Sequence, residues 1–287
     1  MQTLPSLYIP HGGGPCFFME WTMGPADTWH RMATWLQGLI DTLPLRPTAV
    51  VVISGHWEAP AFTVTSGSQP ELIYDYYGFP PHTYQLDYPA PGAPALAQRI
   101  QGLLDQAALP TAVDAKRGFD HGVFIPFKLI LPEADLPIVQ LSLHNTLDPQ
   151  QHLRAGRALA PLRQEGVLLV GSGMSYHNMG GFGDRFKAVS DRFDGWLTQT
   201  CEGEPATRWK QLAEWETAPA ARASHPREEH LLPLMVVAGA AETEPGRKIF
   251  TDCVLGVTVS AFLFGQGDRR FAVPPHLSNH SEHGTNP

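Results

Sequence analysis

Short runs of apolar, mostly β-branched residues recur along the chain. They alternate with longer segments in which apolar residues stand three and four positions apart. Some of the short runs are continuous rather than alternating, which is typical of strands buried on both faces of a parallel sheet. The strands predicted in this way are Ser6–Pro10, Ala49–Ser54, Pro137–Leu143, Gly166–Val170 and Val257–Phe264.

The longer segments have the spacing of amphipathic helices. Asp148 directly precedes one of them and is expected to be its N-cap, with Pro149 in the first helical position. Strands that alternate with helices predict an α/β fold with a mostly parallel, doubly wound central sheet flanked by helices. The predicted helices are Trp29–Leu43, Pro94–Leu109, Pro149–Arg163 and Asp184–Thr200.

The length of 287 residues and a hydrophobic content of 43% allow one large core. We expect a single domain over residues 1–265. Residues 266–287 are polar and are expected to form a C-terminal tail. Glycine and proline are frequent but scattered, which indicates many structured loops rather than a low-complexity tract.

Composition and charge exclude several classes of protein. The formal charge is −8, with 20 basic and 28 acidic residues and no basic run, so we expect no nucleic-acid partner. The three widely spaced cysteines, Cys16, Cys201 and Cys253, predict neither a disulfide framework nor a thiolate zinc site. The chain has no signal-peptide pattern, and its longest apolar run, Val254–Phe264, is too short to span a bilayer. We therefore expect a cytoplasmic protein without a membrane partner.

Histidines stand where four of the predicted strands end. In open α/β sheets, ligands bind in the crevice at the carboxyl ends of the strands. Glycine neighbours let the backbone approach a bound group closely, and His144 lacks such a neighbour, so we interpret it as structural. The four histidines at strand ends are His11, His56, His144 and His177.

Three further histidines, His121, His225 and His230, lie beside apolar residues and would be costly to bury without partners. Neutral imidazole suits both zinc and iron, and two histidines with one carboxylate often hold non-heme iron(II). Glu228 and Glu229 follow Pro226 in an expected first helical turn, where they would either complement the helix dipole or bind metal. The remaining histidines have no such context, and we expect them to be solvated or structural: His30, His82, His152, His276, His280 and His283.

Six motifs occur in order along the chain, and together they resemble the class III extradiol ring-cleavage dioxygenases, in the LigB-like branch that contains bacterial and plant DOPA dioxygenases. The resemblance runs from about residue 6 to residue 264. The motifs are Ile-Pro-His-Gly-Gly-Gly-Pro at 9–15, Ser-Gly-His-Trp at 54–57, Tyr-Asp-Tyr-Tyr-Gly-Phe-Pro at 74–80, Asp-His-Gly at 120–122, Gly-Ser-Gly-Met-Ser-Tyr-His-Asn at 171–178 and His-Pro-Arg-Glu-Glu-His-Leu-Leu-Pro-Leu at 225–234.

The resemblance assigns a role to each of the central residues. It implies that His11 and His56 are metal ligands and that the third ligand lies on a helix opened by Pro226. His230 is our choice for that ligand, with Glu229 in reserve. The resemblance also implies an acid–base role for His177 and a contact from His121 to substrate or oxygen. An imidazole suits proton transfer because its ordinary pKa is about 6.5.

The activity implied by the resemblance is extradiol cleavage of a catechol-type ring by O2 at a non-heme Fe(II) site, giving a muconic semialdehyde. Zn(II) is the expected alternative occupant in isolated protein. Partners would be a small catechol, whose identity the sequence leaves open, and O2; a homodimer also stays open. Aromatic residues near the second ligand either wall the substrate pocket or pack the loop. We expect substrate contact from Trp57 and Tyr77, among a group that also contains Tyr74, Tyr76 and Phe79.

Two other functions remain open at this stage. Three histidines with one free position also describe hydrolytic zinc sites, so a zinc hydrolase is the rival enzyme. The other is a non-catalytic metal-binding protein on the same fold, as in the Memo proteins. The presence of His177 and His121 beside the expected ligands favours an enzyme, because binding alone requires no proton-transfer residue.

Overall fold

The protein was analysed as a computed structural model, and the structure describes residues 3–266. Eight strands form one sheet with the spatial order β4-β3-β5-β2-β6-β1-β8-β7. The strands are β1 Ser6–Pro10, β2 Ala49–Ala59, β3 Phe62–Thr65, β4 Thr111–Asp114, β5 Ile138–His144, β6 Val167–Gly173, β7 Gly246–Val254 and β8 Val257–Phe264.

The middle of the sheet is parallel. Strand β2 pairs with β5 and β6, and β6 pairs with β1, all in parallel. Strands β3 and β4 are also parallel to each other, whereas β3 on β5, and β8 on both β1 and β7, are antiparallel. The carboxyl ends of β1, β2, β5 and β6 therefore lie along one edge, and the predicted mostly parallel sheet is confirmed.

Helices cover both faces of the sheet. Alternate residues of β2 contribute to two separate cores, with Val51 and Ile53 on one side and Val50 and Val52 on the other. A strand buried on both faces must be apolar at every position, which explains its continuous hydrophobic run. The helices are α1 His30–Gly38, α2 Pro94–Gln106, α3 His121–Ile130, α4 Pro149–Leu159, α5 Lys187–Glu202, α6 Pro205–Ala213, α7 Ala221–Ser224 and α8 Leu232–Ala240.

All five predicted strands and all four predicted helices are present; β1 and β8 have the predicted bounds, and the other elements differ at one or both ends. Asp148 caps α4 as expected, because its side chain accepts a hydrogen bond from the Gln150 amide. Strand β2 continues past its predicted end at Ser54 and includes His56. Its register against β5 shifts between Ile53 and Glu58. This bulge lets the strand turn the His56 side chain toward the edge where the other histidines lie.

The helix expected to open at Pro226 is absent. Helix α7 ends at Ser224, and α8 begins only at Leu232, after a turn in which the amides of Leu231 and Leu232 bond to the Glu228 carbonyl. His230 lies in that turn, and its own carbonyl bonds to sheet residues instead of to the next helical turn. Tertiary hydrogen bonds have therefore replaced the helical pattern that the sequence suggested.

The structure bears only partly on the ends of the chain. Of the predicted tail, residues 267–287 lie outside the described residues, together with His276, His280 and His283. Among residues 3–266, no helix has the length and apolar character needed to cross a membrane.

Candidate metal centre

Three histidines from distant parts of the chain point the same ring atom at one place. His11 directly follows β1, His56 lies in the bulge of β2, and His230 lies in the turn before α8. The Nε2 atom of His56 is 3.2 Å from Nε2 of His11 and 3.2 Å from Nε2 of His230. All three ligand atoms lie within 4.8 Å of one another.

The outer nitrogens of the same rings fix which nitrogen carries the proton. The Nδ1 atom of His11 lies 2.9 Å from the Gly12 carbonyl oxygen, and Nδ1 of His230 lies 3.0 Å from a Glu229 carboxylate oxygen. Both oxygens only accept, so each Nδ1 is a donor and each Nε2 is left with a lone pair. The lone pairs of His11 and His230 thus face the Nε2 atom of His56.

Burial keeps these imidazoles neutral. Burial and the neighbouring histidines lower the pKa of His11 and of His56 well below the ordinary value. Burial also lowers the pKa of His230 to about 4, although its hydrogen bond to Glu229 opposes the shift. Neutral histidine is the form that binds metal, so the site is already in the protonation state a cation requires.

The donor set fits a divalent metal. Two nitrogens at about 2.1 Å from a metal lie roughly 3.0 Å apart at an octahedral angle and about 3.4 Å apart at a tetrahedral angle. The observed Nε2 separations of 3.2 Å fall between these values. The Nε2 atom of His56 can carry at most one proton, so it cannot fully satisfy the two lone pairs that face it, whereas a metal cation at this point would bind all three nitrogens.

The two histidines to which the resemblance gave roles besides metal binding, His121 and His177, lie beside these three. His121 is the first residue of α3, and its ring centroid is 3.9 Å from that of His56 and 5.4 Å from that of His11. His177 follows β6 and stacks on His230 at a centroid distance of 3.4 Å and an interplanar angle of 15°. The structure therefore brings all five histidines together at the carboxyl edge of the sheet.

Two carboxylates complete the site. One oxygen of Glu229 lies 3.3 Å from Nδ1 of His177 as well as 3.0 Å from Nδ1 of His230. Burial raises the pKa of the Glu229 carboxyl, but the hydrogen bonds from the two histidines outweigh burial and leave this pKa far below its usual value. Glu229 was the reserve ligand in the sequence interpretation, and here its oxygen faces protonated ring nitrogens.

Asp75 is the second carboxylate, and the sequence analysis did not single it out. One of its oxygens accepts from the backbone amide of His121 at 2.9 Å and from Nδ1 of the same residue at 2.7 Å. Its other oxygen is 4.0 Å from Nδ1 of His56. Burial raises the pKa of Asp75, but the interactions with His121 oppose burial and outweigh it, so the net shift is downward. Its position inside the motif at 74–80 was the available signal.

A buried polar network supports the start of α3. Asp120, which precedes His121, is fully buried and accepts from Ser54 Oγ at 2.7 Å, from the side-chain amide of Gln140 and from Arg117. Ser54 Oγ in turn accepts from the His56 amide at 3.1 Å. Burial raises the pKa of Asp120. The network links β2, β5 and α3 beneath the histidines.

The two aromatic residues expected to contact substrate differ in exposure. Trp57 is buried, and the Arg117 guanidinium lies over its ring at 4.3 Å. Tyr77 is 88% exposed on the surface loop. Its neighbour Tyr76 is buried, and the Tyr76 ring lies edge-on to His121 at 5.8 Å. Of the loop aromatics, Tyr76 is thus the one whose contact with a central histidine is seen.

Two further candidate histidines have structural partners. His144 ends β5, where its Nδ1 pairs with Thr146 Oγ1 at 2.9 Å. His225 is fully buried, bonds the Ser175 carbonyl through Nε2 at 2.9 Å and packs against aromatic rings. Burial lowers the pKa of His225 to about 3. We interpret both as structural, as expected for His144.

Known proteins resemble the chain along most of its length. A family model described as the catalytic LigB subunit of aromatic ring-opening dioxygenase matches residues 7–262. Dioxygenase tasH of Hapsidospora irregularis is 38% identical over 93% of this chain and 87% of its own length. The 4,5-DOPA dioxygenase extradiol of Escherichia coli K12 is 36% identical over 83% of this chain and 85% of its own. The enzyme of the same name in Portulaca grandiflora is 40% identical over 70% of this chain and 75% of its own.

A solved structure has the same fold. The crystal structure of an uncharacterized protein, JW3007, from Escherichia coli K12 superposes with a TM-score of 0.72 at 31% sequence identity, covering 91% of this chain and all of the other. The family model and the curated relatives confirm the resemblance that the six motifs carried. The chain belongs to the LigB family of extradiol aromatic ring-opening dioxygenases, in the branch of the DOPA dioxygenases.

Proposed function

We propose that this protein cleaves a catechol-type ring with O2 at a non-heme Fe(II) centre held by His11, His56 and His230. The observation that carries the proposal is the convergence of three Nε2 atoms, with separations of 3.2 Å about His56, in a member of a ring-opening dioxygenase family. His177 and His121 lie immediately beside that point. The product would be a muconic semialdehyde.

The ligand set supports iron through the chemistry of its donors. Held by His11, His56 and His230, iron(II) would supply a Lewis acid for the catechol and the capacity for electron transfer to O2. Zinc fits the same nitrogens and is the expected occupant when iron is lost, but it cannot change oxidation state. The proposal therefore assigns Fe(II) to the active protein and Zn(II) to an inactive form.

The protein's own groups handle the protons. Because Nδ1 of His177 faces the Glu229 carboxylate, Nε2 is the nitrogen free to accept a proton from a catechol hydroxyl and to return it as the ring opens. His121 is held through its Nδ1 by Asp75 and presents its Nε2 as a polar contact to substrate or oxygen. Each histidine thus has one nitrogen fixed by a carboxylate and one available for chemistry.

The substrate class follows from the relatives and from the aromatic residues near His121. Relatives named 4,5-DOPA dioxygenase support a catechol with an amino-acid or similar side chain. The loop that carries Tyr76 and Tyr77 lies beside His121, so Tyr77 is proposed to close over the ring from the surface. Trp57, whose ring lies against the Arg117 guanidinium, is proposed to form another part of the substrate pocket. A reducing cytoplasm suits both ferrous iron and the three free cysteines.

The test is oxygen uptake by metal-defined protein. Protein loaded anaerobically with Fe(II), mixed with a panel of catechols and then exposed to air, should consume one O2 per substrate and form a yellow ring-opened product. The zinc-loaded form is the matched control and should consume none. Hydrolysis of esters or amides by the zinc form, with no oxygen uptake across the panel by the iron form, would establish the rival hydrolase.

Replacing His177 separates its proposed role from metal binding. The variant H177A should lose turnover by roughly 100-fold or more, the size expected when a general acid–base group is removed, while retaining its metal. Metal content measured by mass spectrometry on the same samples provides the check. Loss of metal together with activity would make His177 a ligand, and full activity would show that His177 is not the proton-transfer residue.

A further inference from the structure

The ring of one proposed ligand and the ring of the proposed proton-transfer residue are stacked and share one partner. His177 and His230 lie nearly parallel at 3.4 Å. Both direct Nδ1 to the same oxygen of Glu229, at 3.3 Å and 3.0 Å. Two rings held by one atom cannot rotate independently, so the position of one is tied to that of the other.

The environment of Glu229 shows that this arrangement is built into the fold. Its main chain belongs to the turn before α8, and its carbonyl lies close to Gly55, whose missing side chain leaves room for the turn to approach β2. The second carboxylate oxygen lies 3.5 Å from Arg227, which is itself paired with Glu58. Arg227 therefore approaches one carboxylate oxygen, while the other oxygen accepts from both histidine rings.

We propose that Glu229 is a positioning residue, which fixes His230 for metal binding and His177 for proton transfer in the same Nδ1–H tautomer. The inference rests on the proposed function for the role of His177. Its structural part is independent of catalysis: without Glu229, both rings are free to protonate at Nε2, the nitrogen that must be unprotonated for each task.

A direct metal-ligand role for Glu229 fits the contacts less well. His177, Glu229 and His230 lie close enough to share an ion. In that group, however, the nitrogens facing the carboxylate are the Nδ1 atoms, whereas the Nε2 atom of His230 already faces His56. An ion at Glu229 would need His230 to bind through both nitrogens. A hydrogen-bonded carboxylate accounts for the same distances with one proton on each ring.

Asp75 provides an internal comparison within the same site. One Asp75 oxygen accepts from Nδ1 of His121 at 2.7 Å. The other oxygen is 4.0 Å from Nδ1 of His56, a proposed ligand, which is too far for a hydrogen bond. Loss of Asp75 should therefore disturb a working histidine with little effect on the metal. Loss of Glu229 should disturb a working histidine and a ligand together. The two carboxylates thus predict different patterns across the same measurements.

The experiment compares E229A, E229L and D75N with E228Q. Glu228 is the neighbouring glutamate and pairs with Arg222 rather than with a histidine, so E228Q is the matched control. Zinc affinity is measured by competition with a chromophoric chelator. The tautomer of each ring is read from nitrogen NMR of histidine-labelled, zinc-loaded protein. Neither readout requires turnover, so they remain decisive if the dioxygenase proposal fails.

We expect E229A to lower zinc affinity by roughly 10- to 100-fold, the usual effect of losing a partner of a ligating histidine, and to shift His177 away from the Nδ1–H form. D75N should leave zinc affinity within about threefold of the parent, and E228Q should change neither readout. In iron-loaded protein at saturating metal, E229A should also lower kcat with little change in KM, as expected for a misplaced proton-transfer group.

Several results would overturn the proposal. An E229A protein with parental zinc affinity and unchanged tautomers would show that the shared hydrogen bonds position nothing. X-ray absorption spectra in which zinc loses a carboxylate ligand in E229A would make Glu229 a ligand. If E229A does not fold, E229L carries the test, because leucine fills much of the same space and offers no acceptor to either Nδ1–H group; parental affinity and tautomers in E229L then count against the proposal.

Discussion

The main-chain carbonyl of His230 accepts hydrogen bonds from two donors, one in strand β1 and one directly after strand β6. The Tyr8 hydroxyl donates to it at 2.6 Å, and the Met174 amide lies at 3.3 Å. Tyr8 belongs to β1, three residues before His11, so a single strand carries one proposed ligand and anchors another. Burial raises the pKa of the Tyr8 hydroxyl well above its ordinary value, which keeps it a donor at any physiological pH.

Replacing Tyr8 tests whether this anchor matters for the metal. The variant Y8F should lose about 1 kcal/mol of stability, because a buried carbonyl loses one of its two donors. If the same free energy is lost from the positioning of His230 as a ligand, zinc affinity should fall roughly fivefold. Y88F is the control: Tyr88 is also buried and donates to a backbone carbonyl, that of Leu131, on a residue with no part in the centre. Equal zinc affinity in the two variants would contradict the anchoring role.

At the scale of elements, the sequence predicted those strands and helices whose bounds follow from a local pattern of apolar and polar residues. Strand β1 and strand β8 have the predicted bounds because their apolar runs are continuous and end at proline or glycine. The helix expected from Pro226 begins only at Leu232, as α8, and its bounds were not visible in the sequence because all nine of its residues are buried and no polar face reveals a helical period. Strands β3 and β4 have only four residues each, too few for a periodic signal.

The candidate site also has a part that the sequence predicted and a part that it did not. Histidines that follow predicted strands indicated where the site lies, because the ends of parallel strands meet at one edge of the sheet. The hydrogen bonds of Asp75 and Glu229 depend on how two loops far apart in the chain fold over that edge, and spacing carries no information about them. The helix expected from Pro226 does not begin there for a related reason: the His230 carbonyl accepts from Tyr8 and Met174, which are distant in the sequence, instead of from the next helical turn.

Helices α4 and α8 pack against each other through glycine. A Cβ at Gly156 in α4 would overlap the Val236 carbonyl, and a Cβ at Gly239 in α8 would overlap the Leu153 carbonyl. Gly102 in α2, by contrast, has open space around its Cα. The same residue type therefore serves close packing in one helix and is only a cost to helix stability in another.

This contrast predicts opposite effects for one substitution. G156A should destabilise the protein by about 2 kcal/mol or more, because a backbone contact must open. G102A should stabilise it by roughly 0.5–1 kcal/mol, because alanine lowers the entropy of the unfolded chain and favours the helix. Urea denaturation of both variants provides the measurement. A stabilised G156A would mean that α4 and α8 have room to separate.

At the scale of the whole molecule, five segments contribute one histidine each to the centre, and other histidines are buried in the scaffold that holds those segments. His152 in α4 is fully buried and joins α4 to β5: its Nδ1 donates to the Asp148 carbonyl at 2.7 Å, and its Nε2 accepts from the His144 amide at 3.2 Å. Protonation at Nε2 would remove that acceptor. Burial accordingly lowers the pKa of His152 to about 4.

The lowered pKa predicts part of the acid sensitivity of the fold. In unfolded chain a histidine titrates near 6.5, so below that pH protons bind the unfolded state first and favour unfolding. The resulting loss of unfolding free energy grows as pH falls from about 6.5 to about 4, where it levels off at roughly 3 kcal/mol.

The variant H152Q tests this, because glutamine cannot take up the proton and the contribution is absent. Urea denaturation of metal-free protein should therefore show a shallower fall in unfolding free energy between pH 7 and pH 4 for H152Q than for the parent. The two curves should run parallel above pH 7, where the buried and the unfolded imidazole are both neutral. Parallel curves across the whole range would mean that His152 is accommodated with its proton in the folded protein, and that the hydrogen bond from His144 does not hold the ring neutral.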